Sequence, residues 1–152
     1  MAIDCRELKT RHTMLQALKV KLMSGSYANG AWEGVIEIHS SSTLEELHLA
    51  IQKAVNFDND HMYQFYIART ERSRERVSFD DESGEVFNTT IGDLYPLPNK
   101  RNLYYFFDFG DSWLFKITKT RKGVHQPCPG IKYPRLILEI GEKPEQYPAW
   151  EE

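Results

Sequence analysis

The chain has 152 residues, 41% hydrophobic and 12% aromatic, which fits one globular domain burying about two-thirds of its unfolded surface. A net charge of −3 excludes a global pull towards nucleic acid or anionic membrane, and is too slight for a DNA-mimicking surface. Two cysteines, Cys5 and Cys128, form no close pair and no metal-ligand spacing, and no apolar run reaches membrane-spanning length.

Residues 1–14 are polar and read as an N-terminal arm. They hold no charged-then-apolar leader, so the expected location is the reducing cytoplasm, away from membrane. Leu18, Val20 and Leu22 alternate with Lys19 and Lys21, the mark of a half-buried strand. Turn chemistry at 24–30 separates it from a second strand, Trp32 to His39, with Trp32, Ile36 and Ile38 on one parity. The two are close enough to pair as a hairpin.

A helix follows. Ser42 and Thr43 each stand three residues before a glutamate, Glu45 or Glu46, so either frame makes a capping box. Leu44, Leu47, His48, Ile51, Ala54 and Val55 recur at helical spacing. Its four large aliphatic side chains would contribute on the order of 6–10 kcal/mol against a sheet, and the cap about 1 kcal/mol. So short a helix needs a partner layer.

Met62 to Ala68 is aromatic and β-prone. A charged excursion from Arg69 to Arg76 and the acidic run Asp80, Asp81, Glu82, Glu85 flank Val77 and Phe79, which pin a short strand. Thr89 to Leu94 looks like a capped single turn ended by Pro96 and Pro98. Leu103–Phe107 and Trp113–Thr118 are the most strand-like runs, joined by the hairpin loop Asp108–Phe109–Gly110–Asp111–Ser112, where Gly110 is expected to take a positive φ. Val124 to Gly130 reads as a loop, Arg135 to Ile140 as a last strand, and 141–152 as an irregular tail. The expectation is a single α+β domain over 15–140, one amphipathic helix on a mostly antiparallel twisted sheet, in the β-grasp-like order β-β-α-β-β-β-β.

Asp108–Phe109–Gly110 spells a kinase metal triplet, but the chain is too short and lacks a glycine-rich phosphate loop and a His-Arg-Asp. A turn in which Asp108 and Asp111 accept backbone N–H bonds explains it better. Asp58–Asn59–Asp60–His61 resembles the opening of a calcium loop, then fails where glycine and a closing glutamate belong, at Tyr63 and Arg69. His61 is expected to pair with a neighbouring carboxylate. His48, on the apolar stripe, is expected to be hydrogen-bonded and not a ligand. No zinc spacing, nucleophile elbow or phosphate loop is present, so no catalytic residue, metal or cofactor is implied and the weight lies against an enzyme.

Together Asp108, Asp111, Trp113, Asp58, Asp60 and His61 are the candidate binding residues, for another protein. Arg69, Arg72, Arg74 and Arg76, with Lys116, Lys119, Arg121 and Lys122, could form a basic strip, with Tyr104 and Tyr105 stacking on unpaired bases. That makes nucleic-acid binding the alternative function. A metal-dependent hydrolase using Asp108 and Asp111, with His61 or Asp60, is the third.

Two stretches carry a resemblance. Ser42–His48 with Ile51–Ala54 and Asp58–Phe65, and Tyr104–Lys116 centred on the Asp-Phe-Gly-Asp-Ser-Trp hairpin, resemble the plasmid pRiA4b ORF-3-like family. Thr90–Leu94 and Trp32 also fit, so the resemblance spans about Leu18 to Pro134. It implies an α+β protein carried on plasmids and insertion elements, and brings no activity with it. Members often close with Pro-Pro-Glu-Asp and paired glycines after cysteines. Here Tyr133-Pro134-Arg135 fits the approach and Gly141–Pro148 keeps a trace, so a family site shared with that end would be half absent.

Overall fold

The computed structural model describes residues 14–28 and 30–148. Cys5, His12, Trp150 and most of the expected N-terminal arm lie outside the described residues. Strands β1 (Leu15–Ser24) and β2 (Glu33–His39) form the foreseen hairpin, followed by helix α1 (Leu44–Val55). Next come β3 (Tyr63–Ala68), β4 (Val77–Asp80), two single-turn helices α2 (Glu85–Asn88) and α3 (Ile91–Leu94), β5 (Asn102–Phe107), β6 (Trp113–Lys119) and β7 (Arg135–Ile140).

The strands make one seven-stranded open sheet in the order β4-β3-β5-β6-β1-β2-β7, antiparallel at every described pairing. The domain is α+β, with one dominant helix on one face. Thr43 is the cap that forms. Its hydroxyl accepts from the Glu46 N–H at 3.2 Å, and the Glu46 carboxylate accepts from the Thr43 N–H at 3.3 Å. Thr90 and Asp93 repeat the device on α3.

Leu44, Leu47, Ile51 and Val55 bury fully against Leu18, Val20, Ile36, Ile38, Phe65, Tyr105 and Phe115. Along β3 and β5 the other parity carries Tyr66, Ala68 and Tyr104, a smaller cluster with Leu114 on the far face. The 69–76 loop folds back over that cluster. Tyr66 donates to the Glu71 carbonyl at 2.9 Å, and the Arg76 guanidinium lies 4.0 Å from the Tyr66 ring centre.

One pairing positions the site. Because β3 runs antiparallel to β5, with Tyr63 opposite Phe107, the chain enters β3 at the sheet end where it leaves β5. The helix-end loop and the β5–β6 turn are therefore neighbours.

Candidate functional site

The β5–β6 turn is Asp108–Ser112, as its sequence suggests. Its left-handed residues are Asp108 (φ 60) and Ser112 (φ 56), which corrects the assignment of the positive φ to Gly110. The reason is chemical: aspartate tolerates that region when its side chain bonds locally. Asp108 Oδ1 accepts from the N–H groups of Gly110 (3.0 Å) and Asp111 (3.2 Å), and its own N–H donates to the Met62 carbonyl at 3.0 Å. Of the two aspartates, Asp108 holds the bend.

Trp113 is fully buried, against Phe57 at 4.9 Å between ring centres, and leaves no room for a side chain at Gly25. It anchors the turn from below and presents no surface.

Above it the two loops meet. His61 Nε2 stands 3.3 Å from Asp108 Oδ2 and 3.7 Å from Asp60 Oδ1. The tail adds two residues that no periodicity flags. Tyr147 donates its hydroxyl proton to Asp60 Oδ2 at 2.7 Å, leaving its oxygen to accept from His61 Nε2 at 2.7 Å. Gln146 donates to Asp60 Oδ1 at 2.8 Å and accepts from the Asp58 N–H at 2.7 Å. Desolvation works to raise the Asp60 pKa, but the Tyr147 and Gln146 hydrogen bonds outweigh it and hold the carboxyl below its usual range. The bond to Asp60 in turn pushes the Tyr147 hydroxyl up to about 12. Burial, then the Asp108 carboxylate beside it, raises Asp111.

Of the six binding candidates, Asp58, Asp60, His61, Asp108 and Asp111 thus gather at one end of the sheet. Around them Met62 (48%), Phe109 (49%) and Tyr147 (51%) remain about half exposed. Both Asp60 oxygens are occupied by the tail and Asp108 Oδ1 by the turn amides, while Asp108 Oδ2 lies 3.3 Å from His61 Nε2. Among the described residues no group of three or more His, Cys, Asp or Glu is arranged to hold a metal ion.

Beneath this cluster lies a polar ring that the sequence did not announce. The Asn59 N–H donates to Gln52 Oε1 at 3.0 Å, so the Gln52 amide nitrogen faces Tyr105 and donates to its oxygen at 2.9 Å. Tyr105 then directs its proton to His48 Nδ1, and His48 Nε2–H closes the ring on Asn59 Oδ1. A backbone amide sets the sense of every bond. The ring requires a neutral imidazole, and burial lowers the His48 pKa from 6.5 to about 4. Tyr63 stacks on that imidazole with ring centres 3.5 Å apart.

The basic residues divide between the two faces of the sheet, with Lys116 and Arg76 on the far face. Lys116 stands opposite Tyr104 on the far face, whereas Lys119 approaches Tyr95 at 5.2 Å and shares its parity with Trp113, Phe115 and Ile117 on the helix side. Arg76 is held over Tyr66, while Arg69, Arg72, Arg74 and Arg121 are exposed on loops. Tyr104 is 2% exposed and Tyr105 fully buried, which corrects the expectation that they stack on bases. The alternation of β5 sends one to each face, and each face is covered.

No described helix is long and apolar enough to cross a membrane. Over residues 15–146 the sequence matches the family described as plasmid pRiA4b ORF-3-like protein. No curated protein matches. The fold is similar to the crystal structure of a protein of unknown function from Methanosarcina mazei Go1. The identity is 20%, the match covers 84% of this chain and 70% of that one, and the TM-score is 0.68.

Proposed function

The chain belongs to the plasmid pRiA4b ORF-3-like family, and from that premise we propose that it is a non-catalytic interaction module that engages another protein through the β5–β6 turn and the helix-end loop. The observation that carries this reading is Phe109. It projects half-exposed from a turn whose backbone is tied by Asp108, and its ring stacks on Phe106 with centres 5.4 Å apart. A preorganised aromatic on a tied turn suits a partner's apolar contact at little entropic cost. The carboxylates of Asp58, Asp60 and Asp111 at the same end of the sheet favour a partner segment carrying Lys or Arg. The exposed free thiol of Cys128 fits a reducing compartment, the cytoplasm.

The test is affinity capture with a photo-crosslinking residue in place of Tyr147, with and without nuclease. The expected result is a protein crosslink that survives nuclease and is lost with Phe109→Ser. Crosslinks that vanish with nuclease would favour the nucleic-acid reading. Phosphoester turnover by purified protein, abolished by Asp111→Asn, would replace both with the hydrolase.

A further inference from the structure

Away from that turn, α1 does not cover the sheet as far as β7, and a groove of about 730 Å³ opens between the helix and the chain entering β7. Its depth comes from small residues. Ala50 and Ala54, one turn apart on α1, leave Ile36 and Leu136 as an apolar floor, and Leu49 stands 42% exposed on the wall. The volume lies in the range of small-molecule sites, roughly 300–1,000 Å³.

Its charge runs against that of the whole molecule. Although the chain carries a net −3, the groove is lined by Lys53, Lys132, Arg135 and Lys143 with Glu46 as the one acid. Two of those cations are already engaged. Arg135 pairs with the buried Glu37 at 2.8 Å, and Lys143 with Glu139 at 2.7 Å and the Ala54 carbonyl at 2.9 Å. Lys53 and Lys132 make no ion pair among the described residues, and they flank the apolar floor from the helix side and the loop side.

We propose that this groove binds a small anionic amphiphile, a carboxylate with an unbranched or aromatic apolar body. The body lies over Ala50, Ala54 and Leu136, and the carboxylate sits between Lys53 and Lys132. An apolar bed supplies affinity, and a few placed polar groups fix orientation. Two lysines lacking a counter-ion beside apolar surface select the anion over a neutral or cationic molecule of the same body. A protein helix with acidic residues would meet the same charges. The small molecule is favoured because only the two turns of α1 from Glu46 to Ala54 line the groove.

The experiment titrates the full chain with decanoate below its micellar concentration, beside decanol and decyltrimethylammonium, by calorimetry and by thermal shift. Decanoate is expected to bind at one site, at least tenfold tighter than decanol and the cation. Lys53→Glu with Lys132→Glu is expected to weaken decanoate at least tenfold and to leave decanol unchanged. Ala50→Leu, which fills the groove, is expected to weaken both; if it fails to fold, the exposed lysine variants still decide. No saturable binding at millimolar decanoate, equal binding of all three amphiphiles, or indifference to the lysine variants overturns the proposal. So does displacement of decanoate only by an acidic amphipathic peptide that binds far tighter.

Discussion

One loop feeds two polar clusters that differ in nearly every respect. Asn59 turns inward to the ring with His48, Gln52 and Tyr105, and Asp60 turns outward to His61 and Tyr147. The inner cluster is neutral and directional, and His48, Gln52 and Tyr105 are buried under an exposed Asn59, so each bond there holds the fold. The outer one is acidic and exposed, so its charges are screened and matter to what approaches. Histidine appears in both, and burial alone assigns it opposite tasks. Residue type therefore says less about function here than the face on which the chain leaves it.

The contrast is tested most severely by acid. His48 has a folded-state pKa of about 4 against 6.5 unfolded, so the unfolded chain binds the proton more readily. Stability conferred by neutral His48 is complete above about pH 6.5 and is lost as pH falls towards 4, about 3 kcal/mol in all. Urea melts across that window are expected to show this loss in the native protein and a flatter profile in His48→Gln. Equal slopes would remove His48 from the account.

Tyr105→Phe breaks the ring without changing its volume. It leaves Gln52 and His48 each short of one buried partner and is expected to cost about 2 kcal/mol in urea unfolding. Asp108→Ala removes two turn hydrogen bonds and places alanine at a positive φ, for an expected loss of about 1–2 kcal/mol. In the outer cluster, Tyr147→Phe is expected to leave the urea midpoint unmoved while altering partner capture. If it unfolds the protein as readily as Tyr105→Phe does, the distinction between the clusters collapses.

Much of the fold was legible because it rests on local rules. The stripe from Leu44 to Val55, the Thr43 cap and the alternation of Leu18, Val20 and Leu22 each belong to one element. The bend at Asp108–Ser112 was legible too, since glycine and aspartate between aromatic strands state a turn. The gathering of Asp58, Asp60 and His61 on Asp108 depends on β3 lying beside β5, a pairing between elements that no local pattern encodes. Tyr147 and Gln146 lie in a proline-flanked tail without periodicity, and only tertiary contact gives them a role. Tyr104 and Tyr105 read as surface candidates because aromatics suit both cores and interfaces, and strand parity decides between them only when both faces are known to be covered.

The closed ring also makes the molecule its own sensor. An imidazole proton held on His48 Nε2 by Asn59, shielded beneath the Tyr63 ring, should exchange slowly and give a resolved downfield resonance in proton NMR. That single line would report whether the helix-end segment is seated, and a partner landing on Phe109 could be followed through it without any label.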